Sequence, residues 1–200
     1  ITLGSRCSMS VSDDKITITY SAPSGGGSSS SSSGDYTVSV ENSKHGTVTV
    51  LSDSGPVEVT TYRADGDYHD GRHPDGVRFV RSLREDTARR DFTVNAMAMD
   101  QRGNIRDFYG GRADLAAGIL RCVGAPERRF REDALRMLRA CRFAAQLGFA
   151  IEPETWAALL RCAPLCKQLS RERITEEVTK TSRSPSPQWA AAMIRCGLLT

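Results

Sequence analysis

An α+β fold is predicted for this chain because two kinds of hydrophobic periodicity divide it into two parts. Before about residue 120, apolar and polar residues alternate over several short segments, as they do in half-buried strands. From Pro126 onward, apolar residues recur at three- and four-residue spacing, as they do in amphipathic helices. We therefore predict a sheet-containing domain over residues 1–120 and an all-helical domain over residues 121–200.

The strands of the first domain are indicated by period-two alternation. Residues 46–51 and 56–62 alternate on either side of the turn sequence Ser52-Asp53-Ser54-Gly55, which predicts a β-hairpin. Further strands are predicted at 15–20, 36–41, 77–80 and 96–100, and short helices at 83–90 and 112–117.

Two stretches of the first domain have no periodicity. Residues 24–34 contain only serine and glycine, a composition that cannot bury a core and that predicts a flexible linker. Residues 64–75 are rich in glycine, aspartate and histidine, so we predict a flexible loop there.

The second domain is predicted to consist of four helices. An apolar stripe of Ala134, Leu138, Cys141 and Ala145 marks the first, which Gly148 ends. The others are predicted at 152–162 with Pro153 in the first turn, at 170–180 with Ser170 as the cap, and at 188–196 before Gly197. The residues expected in the core include Phe92, Met97, Met99, Leu135 and Leu138.

The distribution of charge and the cysteine content indicate which kinds of ligand and cellular compartment to expect. The formal net charge is only +3, but residues 121–142 contain seven arginines and only three acids. This local excess of positive charge favours the binding of phosphate groups. No apolar run reaches membrane length, and the N-terminus has no signal-peptide pattern. The six cysteines include no Cys-x-x-Cys pair, so we expect reduced, mostly buried thiols in a cytosolic protein.

Two segments combine acids and arginines within an apolar frame, which favours a nucleotide site. They are 89–97, which contains Arg90 and Asp91, and 130–143, which contains Asp133 and Arg136. Asp133 and Arg136 are three apart, so on a helix they would share a face. A carboxylate accepts from the exocyclic amine of cytosine or adenine, and a guanidinium donates to the neighbouring ring acceptor. The pair can therefore select C and A against G and U, although an ordinary intrahelical salt bridge is the alternative.

Five motifs in order then resemble one family. They are Lys44-His45-Gly46-Thr47-Val48-Thr49-Val50, Val57-Glu58-Val59-Thr60-Thr61-Tyr62-Arg63, Asp70-Gly71-Arg72-His73-Pro74-Asp75, Arg89-Arg90-Asp91-Phe92-Thr93, and Glu-Asp-x-x-Arg at 132–136. From residue 44 to about 180 the chain resembles the bacterial tRNA nucleotidyltransferases, or CCA-adding enzymes, which share a family with poly(A) polymerases. The resemblance implies a polymerase-β-like head with a mixed sheet, then a helical neck. It also implies template-independent addition of C, C and A to the tRNA 3′ end from CTP and ATP.

The resemblance implies catalytic carboxylates that bind Mg²⁺. Glu58 matches the third of them, and an Asp-x-Asp pair should precede it on a strand. Asp13 could be the first aspartate, but Lys15 then occupies the second position, where an ammonium would repel the metal ion. Asp14 is the other candidate, although adjacent strand residues face opposite ways. We therefore predict Asp13, Asp14 and Glu58 as catalytic and metal-binding residues, and keep open that the site is degraded.

The resemblance also assigns nucleotide-binding residues. Arg90 would contact the incoming nucleotide, Asp91 would hold the same turn, and Asn95 would support the pocket through its backbone. Asp133 and Arg136 would read the base. Arg139 and Arg142 would face the triphosphate or tune the base-reading pair.

Three further expectations follow from the resemblance. The loop at 64–75 would help to switch specificity from C to A, and two segments, Glu172-Arg173 and Glu176-Glu177, would brace the neck. The chain would be a head-and-neck fragment without the later domains that grip tRNA. Two alternatives remain open, namely a poly(A)-adding enzyme and a nucleotide- or RNA-binding fragment without catalysis.

Overall fold

A computed structural model describes residues 7–12, 15–20, 35–39, 47–52, 55–65 and 77–199 of the chain. They belong to two compact units, residues 1–62 and residues 63–200, which we describe separately. The predicted linker at 24–34, Asp13, Asp14 and residues 66–75 of the predicted loop lie outside the described residues.

The first unit contains a five-stranded sheet whose strands follow one another in chain order. The strands are β1 (Cys7–Ser12), β2 (Lys15–Tyr20), β3 (Asp35–Ser39), β4 (Thr47–Ser52) and β5 (Gly55–Thr60), and each pairing is antiparallel. The hairpin prediction is confirmed, because β4 pairs with β5 in a register that places Val48 opposite Val59 and Val50 opposite Val57. The alternation of valines thus sets the register. Strand β1 was not predicted.

The second unit contains six short strands, seven helices and two 3₁₀ turns among its described residues. The strands are β6 (Arg63–Asp65), β7 (Val77–Phe79), β8 (Met97–Met99), β9 (Ile105–Asp107), β10 (Ile119–Leu120) and β11 (Ala150–Ile151). The helices are α1 (Leu83–Ala88), α2 (Gly111–Ala117), α3 (Pro126–Glu132), α4 (Leu135–Leu147), α5 (Pro153–Cys162), α6 (Arg171–Ser182) and α7 (Gln188–Arg195). The 3₁₀ turns are Thr93–Asn95 and Ala163–Gln168.

The predicted α+β class is therefore correct, and most predicted elements appear within one or two residues of their expected ends. The described part of residues 121–200 contains five helices rather than the predicted four, because the first predicted helix is divided into α3 and α4. Two further predictions are wrong in detail, namely the start of the flexible loop and the burial of Met99. Residues 64 and 65 belong to β6, which pairs with β7, rather than to a loop. Met99 is 71% exposed rather than buried, because β8 pairs only with β9 in a two-stranded sheet that covers little of its surface.

Helix α4 lies at the centre of the second unit and packs against α6 and α7. Its predicted stripe, Ala134, Leu138, Cys141 and Ala145, is buried. Phe92, Phe130, Met137, Leu159 and Met193 complete a single core around it. Truncating a side chain such as Leu138 there would cost about 2–5 kcal/mol of stability.

The expectation that Asp133 and Arg136 share a helical face is wrong. The backbone at Asp133 is extended, with φ −150° and ψ 108°, so α3 ends before it and α4 begins after it. The cause is local, because the Asp133 carboxylate accepts a hydrogen bond from the N–H of Leu135 at 3.0 Å. A short polar side chain that bonds the backbone in this way competes with continuation of a helix.

The ends of the later helices follow their capping residues with one exception. Gly148 ends α4 with a left-handed φ of 70°, a conformation that glycine adopts without strain. The carboxylate of Glu152 accepts from the N–H of Thr155 at 2.7 Å, and Pro153 occupies the first turn of α5. Ser170 precedes α6 as predicted, but its side chain makes no capping hydrogen bond, so that part of the prediction is wrong.

The described helices and thiols bear on two further expectations from the sequence. None of the helices in the described ranges has both the length and the apolar character needed to cross a bilayer. Cys122, Cys141, Cys162 and Cys166 are free and buried, and Cys196 is free and partly buried. The prediction of mostly buried thiols is confirmed for these five, and their reduced state stays a prediction.

Candidate functional site

A cavity of about 650 Å³ lies in the second unit and is lined mainly by arginines. Its walls come from β6, the segment after α1, the α3–α4 junction, α4 and α6. The lining residues are Arg63, Arg89, Arg90, Asp91, Asn95, Asp133, Leu135, Arg136, Arg139, Phe143 and Arg173. Six guanidinium groups against two carboxylates give a positive cavity suited to a phosphorylated ligand.

The cavity brings together six of the seven residues predicted to bind a nucleotide. They are Arg90, Asp91, Asn95, Asp133, Arg136 and Arg139. The two segments singled out by composition therefore form one site, although more than thirty positions separate them in the sequence. Whether these residues hold a nucleotide remains a prediction.

Asp91 ties the turn after α1 to helix α4. One of its oxygens, Oδ1, accepts from the N–H of Phe92 at 2.8 Å and from the side-chain amide of Asn95 at 3.1 Å. The other oxygen, Oδ2, lies 2.8 Å from Nε and 2.7 Å from Nη2 of Arg139. Asn95 contributes in two ways, because its backbone carbonyl also accepts a hydrogen bond from Nη1 of Arg90 at 3.2 Å.

Arg136 is 9% exposed, and acceptors from several elements hold its guanidinium. Nη1 lies 2.7 Å from the carboxylate of Glu132 and 3.1 Å from the carbonyl of Arg129. Nη2 donates to the carbonyl of Arg89 at 3.0 Å. The orientation of this side chain is thus set by α3 and by the Arg-Arg-Asp segment together.

Asp133 is held by contacts with helices α4 and α6. Its Oδ1 accepts from the N–H of Leu135, and its Oδ2 forms an ion pair with Nη2 of Arg173 on α6 at 2.9 Å. A carboxylate has about four lone-pair sites, so both oxygens can accept further hydrogen bonds. The expectation that Arg173 braces the helices is confirmed, but Arg173 also lines the cavity.

Arg142 is the predicted nucleotide-binding residue that does not line the cavity. It is 8% exposed, and its Nε lies 2.6 Å from the carboxylate of Glu177 on α6. Nη1 donates to the side chain of Gln146 at 2.8 Å, and the guanidinium stacks 4.0 Å from the ring centroid of Phe143. These contacts assign Arg142 to the packing of α4 against α6.

Several residues of the site were not predicted from the sequence. Arg63, Arg89 and Phe143 line the cavity, and Asp86 lies behind it, 1% exposed, with hydrogen bonds to three arginines. Burial alone would raise the pKa of Asp86, but hydrogen bonds from Arg89 and from the backbone of Arg63 outweigh it and lower that pKa. The spacing of Asp86 from the two arginines, three and four residues, is the signal that could have found it.

The predicted metal carboxylates are described only in part. Glu58 is exposed on β5, opposite Thr49 of β4, in the first unit. In the part of the chain that the structure describes, no three His, Cys, Asp or Glu side chains are grouped so that they could hold a metal ion. The described residues therefore do not by themselves form a metal site.

Comparison with known protein families identifies two matching models. Residues 30–121 match the poly A polymerase head domain. Residues 148–200 match the family described as "Probable RNA and SrmB- binding site of polymerase A".

Similar curated proteins are CCA-adding enzymes. The chain is 54% identical over 143 residues to the CCA-adding enzyme of Geobacillus stearothermophilus, covering 72% of this chain and 35% of that protein. It is 48% identical over 157 residues to the CCA-adding enzyme of Bacillus velezensis, covering 78% of this chain and 40% of that protein. The chain thus spans little more than a third of the length of these relatives.

Solved structures give the same picture. The Bacillus stearothermophilus CCA-adding enzyme in complex with CTP superimposes with a TM-score of 0.71 at 47% identity, covering 78% of this chain and 38% of that chain. A tRNA-processing enzyme with CTP superimposes with a TM-score of 0.62 at 29% identity, covering 76% of this chain and 39% of that chain.

Proposed function

Because this chain belongs to the tRNA nucleotidyltransferase and poly(A) polymerase family, we propose that it carries the nucleotide-selecting part of an enzyme that adds C, C and A to the 3′ end of tRNA. Its substrates would be CTP, ATP and a tRNA 3′ end, and its location the cytoplasm. Residues 1–120 would be the nucleotidyltransferase head, and residues 121–200 the helical neck.

The observation that carries this proposal is that Asp133 and Arg136 line one positive cavity, each with its side chain held from a different element. Cytosine and adenine both present an exocyclic amine beside a ring acceptor, whereas guanine and uracil present a carbonyl beside an N–H. A carboxylate next to a guanidinium complements the first pattern and opposes the second. The arginines around the pair would hold the triphosphate.

The family implies a divalent metal ion, and we propose that it is Mg²⁺. The predicted ligands are Glu58 together with Asp13 or Asp14. Such an ion would supply positive charge for the departing pyrophosphate. The residues of the second unit that line the cavity would bind and orient the nucleotide.

Nucleotide binding tests the proposal directly. We would titrate the 200-residue chain with CTP, ATP, GTP and UTP by calorimetry, and we expect CTP and ATP to bind at least about tenfold more tightly than GTP and UTP. Asp133→Ala should remove that preference. The matched control is Glu127→Ala, which removes a partly exposed acid of α3 outside the cavity lining. Equal binding of all four nucleotides would contradict the proposal.

Incorporation tests the chemistry. The chain would be incubated with Mg²⁺, labelled CTP and ATP, and tRNA that lacks its terminal CCA. Ordered addition of C, C and A is the expected result for the proposed enzyme, whereas addition of A alone would indicate the poly(A)-adding alternative. Selective binding of CTP and ATP without incorporation would indicate a binding fragment whose carboxylate set is degraded.

A further inference from the structure

Asp86 is a buried carboxylate that touches three arginines of the cavity wall. It lies on α1 and is 1% exposed. Its Oδ1 accepts from the backbone N–H of Arg63 at 3.1 Å, and from Nε and Nη2 of Arg89 at 3.2 and 2.9 Å. Its Oδ2 lies 3.2 Å from Nη2 of Arg90. No catalytic or base-reading role falls to this residue, because its atoms are covered by the side chains that it holds.

Arg90 is the member of this group that reaches furthest into solvent. Its side chain is 41% exposed and lines the cavity, while Asp86 holds Nη2 and the carbonyl of Asn95 holds Nη1. A long side chain with that exposure would otherwise sample many rotamers. Two acceptors on different elements restrict it to one orientation before any ligand arrives.

The charge balance of the cavity gives Asp86 a second effect. Arg89 and Arg90 are adjacent in the sequence, and both guanidinium groups lie at the same wall. Both guanidinium groups donate to Asp86, so they lie close enough to repel each other, and without the carboxylate that repulsion would turn one side chain outward. A charged carboxylate behind both groups offsets that repulsion and keeps both at the wall.

We propose that Asp86 is a positioning residue that holds Arg90 ready for the phosphates of the incoming nucleotide, and that it thereby sets the affinity for CTP and ATP alike. The proposal rests on the function proposed above for the cavity. Under this proposal the site has two separate tasks. Asp133 and Arg136 discriminate between the bases, whereas Asp86 acts through Arg90 on the triphosphate, which all nucleoside triphosphates share.

The variant Asp86→Asn tests this with little change of shape. The amide oxygen can take the place of Oδ1 and keep the hydrogen bonds from Arg63 and Arg89. The amide nitrogen then faces Nη2 of Arg90, donor against donor, so Arg90 is released. We expect the Kd for CTP and for ATP to rise by the same factor, about tenfold, as for a lost charge-assisted hydrogen bond. The ratio of the two Kd values should stay within about twofold.

A double-mutant cycle with Arg90→Ala supplies the readout that a merely structural role would not change. If Asp86 acts through Arg90, Asp86→Asn should alter the Kd by less than about twofold in the Arg90→Ala background. The matched control is Asp114→Asn, because Asp114 is also buried and bound to an arginine, Arg121, but does not line the cavity. It should leave both Kd values unchanged.

The possible results distinguish failure of the role of Asp86 from failure of the proposed function. Additive effects of Asp86→Asn and Arg90→Ala, a change in the ratio of CTP to ATP affinity, or unchanged affinity in Asp86→Asn would overturn the role of Asp86 while leaving the nucleotide site standing. Failure of the unsubstituted chain to bind CTP and ATP would overturn the proposed function, and the role of Asp86 with it. If Asp86→Asn does not fold, Asp86→Glu keeps the charge but moves it by one methylene, and it should weaken both nucleotides equally; unchanged affinity there would also overturn the proposal.

Discussion

The Oδ2 atom of Asp91 lies between two nitrogens of Arg139, 2.8 Å from Nε and 2.7 Å from Nη2, although 48 residues separate the two side chains. This contact fastens the turn after α1 to the middle of α4. A second contact, from Nη2 of Arg136 to the carbonyl of Arg89, runs beside it. The two segments that the sequence marks as unusual are thus fastened to each other at the wall of the cavity.

Asp91→Ala should weaken the chain as well as its cavity. The substitution leaves the buried N–H of Phe92 without its acceptor and Arg139 without its partner. We expect the free energy of unfolding to fall by about 1–3 kcal/mol, measured by urea denaturation. Glu127→Ala is the control, because it breaks only the partly exposed pair with Arg161 and should cost at most about 1 kcal/mol. Equal losses in the two variants would contradict the role assigned to Asp91.

Glu177→Ala should be among the most destabilising single changes in the helical part. Its carboxylate is 2.6 Å from Nε of Arg142, and both side chains are at least nine-tenths buried. Removing one partner leaves a buried charge uncompensated, so we expect a loss of about 3–5 kcal/mol in chemical unfolding. The neighbouring variant Glu176→Ala breaks an exposed pair with Lys180 and should change stability little. A small effect of Glu177→Ala, equal to that of Glu176→Ala, would contradict the burial of the Arg142–Glu177 pair.

Asp86 should make part of the stability depend on pH in the acid range. Its pKa in the folded chain lies below the ordinary value of 3.8, because the hydrogen bonds from Arg89 and Arg63 outweigh burial. A carboxylate with a lowered folded-state pKa contributes stability that is present above 3.8 and is lost as the pH falls through the folded value. Urea denaturation between pH 6 and pH 3 should therefore show a shallower loss for Asp86→Asn than for the unsubstituted chain. Glu85→Gln, on the exposed side of the same helix, should follow the unsubstituted chain; parallel curves for all three would refute the assignment.

Three thiols should be unreactive in the folded chain. Burial raises the pKa of Cys122, Cys141 and Cys166 to about 12. Because only the thiolate attacks disulfide reagents, we expect peptide mapping after brief treatment at pH 8 to show these three unlabelled. Cys196 is only partly buried and should be labelled earlier. In urea all of them should react, and fast labelling of Cys141 without denaturant would contradict the burial of α4.

Much of the site could be predicted from the sequence, and the reasons for the failures are specific. The mixture of acids and arginines in the segments 89–97 and 130–143 predicted a site, and the structure brings Arg90, Asp91 and Arg136 of these segments together at one cavity. Asp86 was missed because its spacing from Arg89 and Arg90 indicates a possible ion pair but does not show that the carboxylate is buried. The break at Asp133 was missed because its cause is a side-chain hydrogen bond to the backbone rather than a glycine or a proline.

Arg142 illustrates what only the tertiary structure decided. At about 100° per residue, each three-residue step turns a helical side chain by about 60°, so Arg142 points about 120° away from Arg136 around α4. Spacing alone could not say which of the three arginines would remain at the cavity, since the outcome depends on the helix that packs alongside. Glu177 of α6 forms an ion pair with Arg142, and Asp91 forms one with Arg139.

The sequence by itself was sufficient to predict most of the helices, several of the strands and the family resemblance, because hydrophobic period and ordered motifs are local properties of the chain. The tertiary structure decided which charged side chains meet. Ion pairs such as Arg139 with Asp91 and Arg173 with Asp133 join elements 40 or more residues apart, so their partners are chosen by packing rather than by spacing.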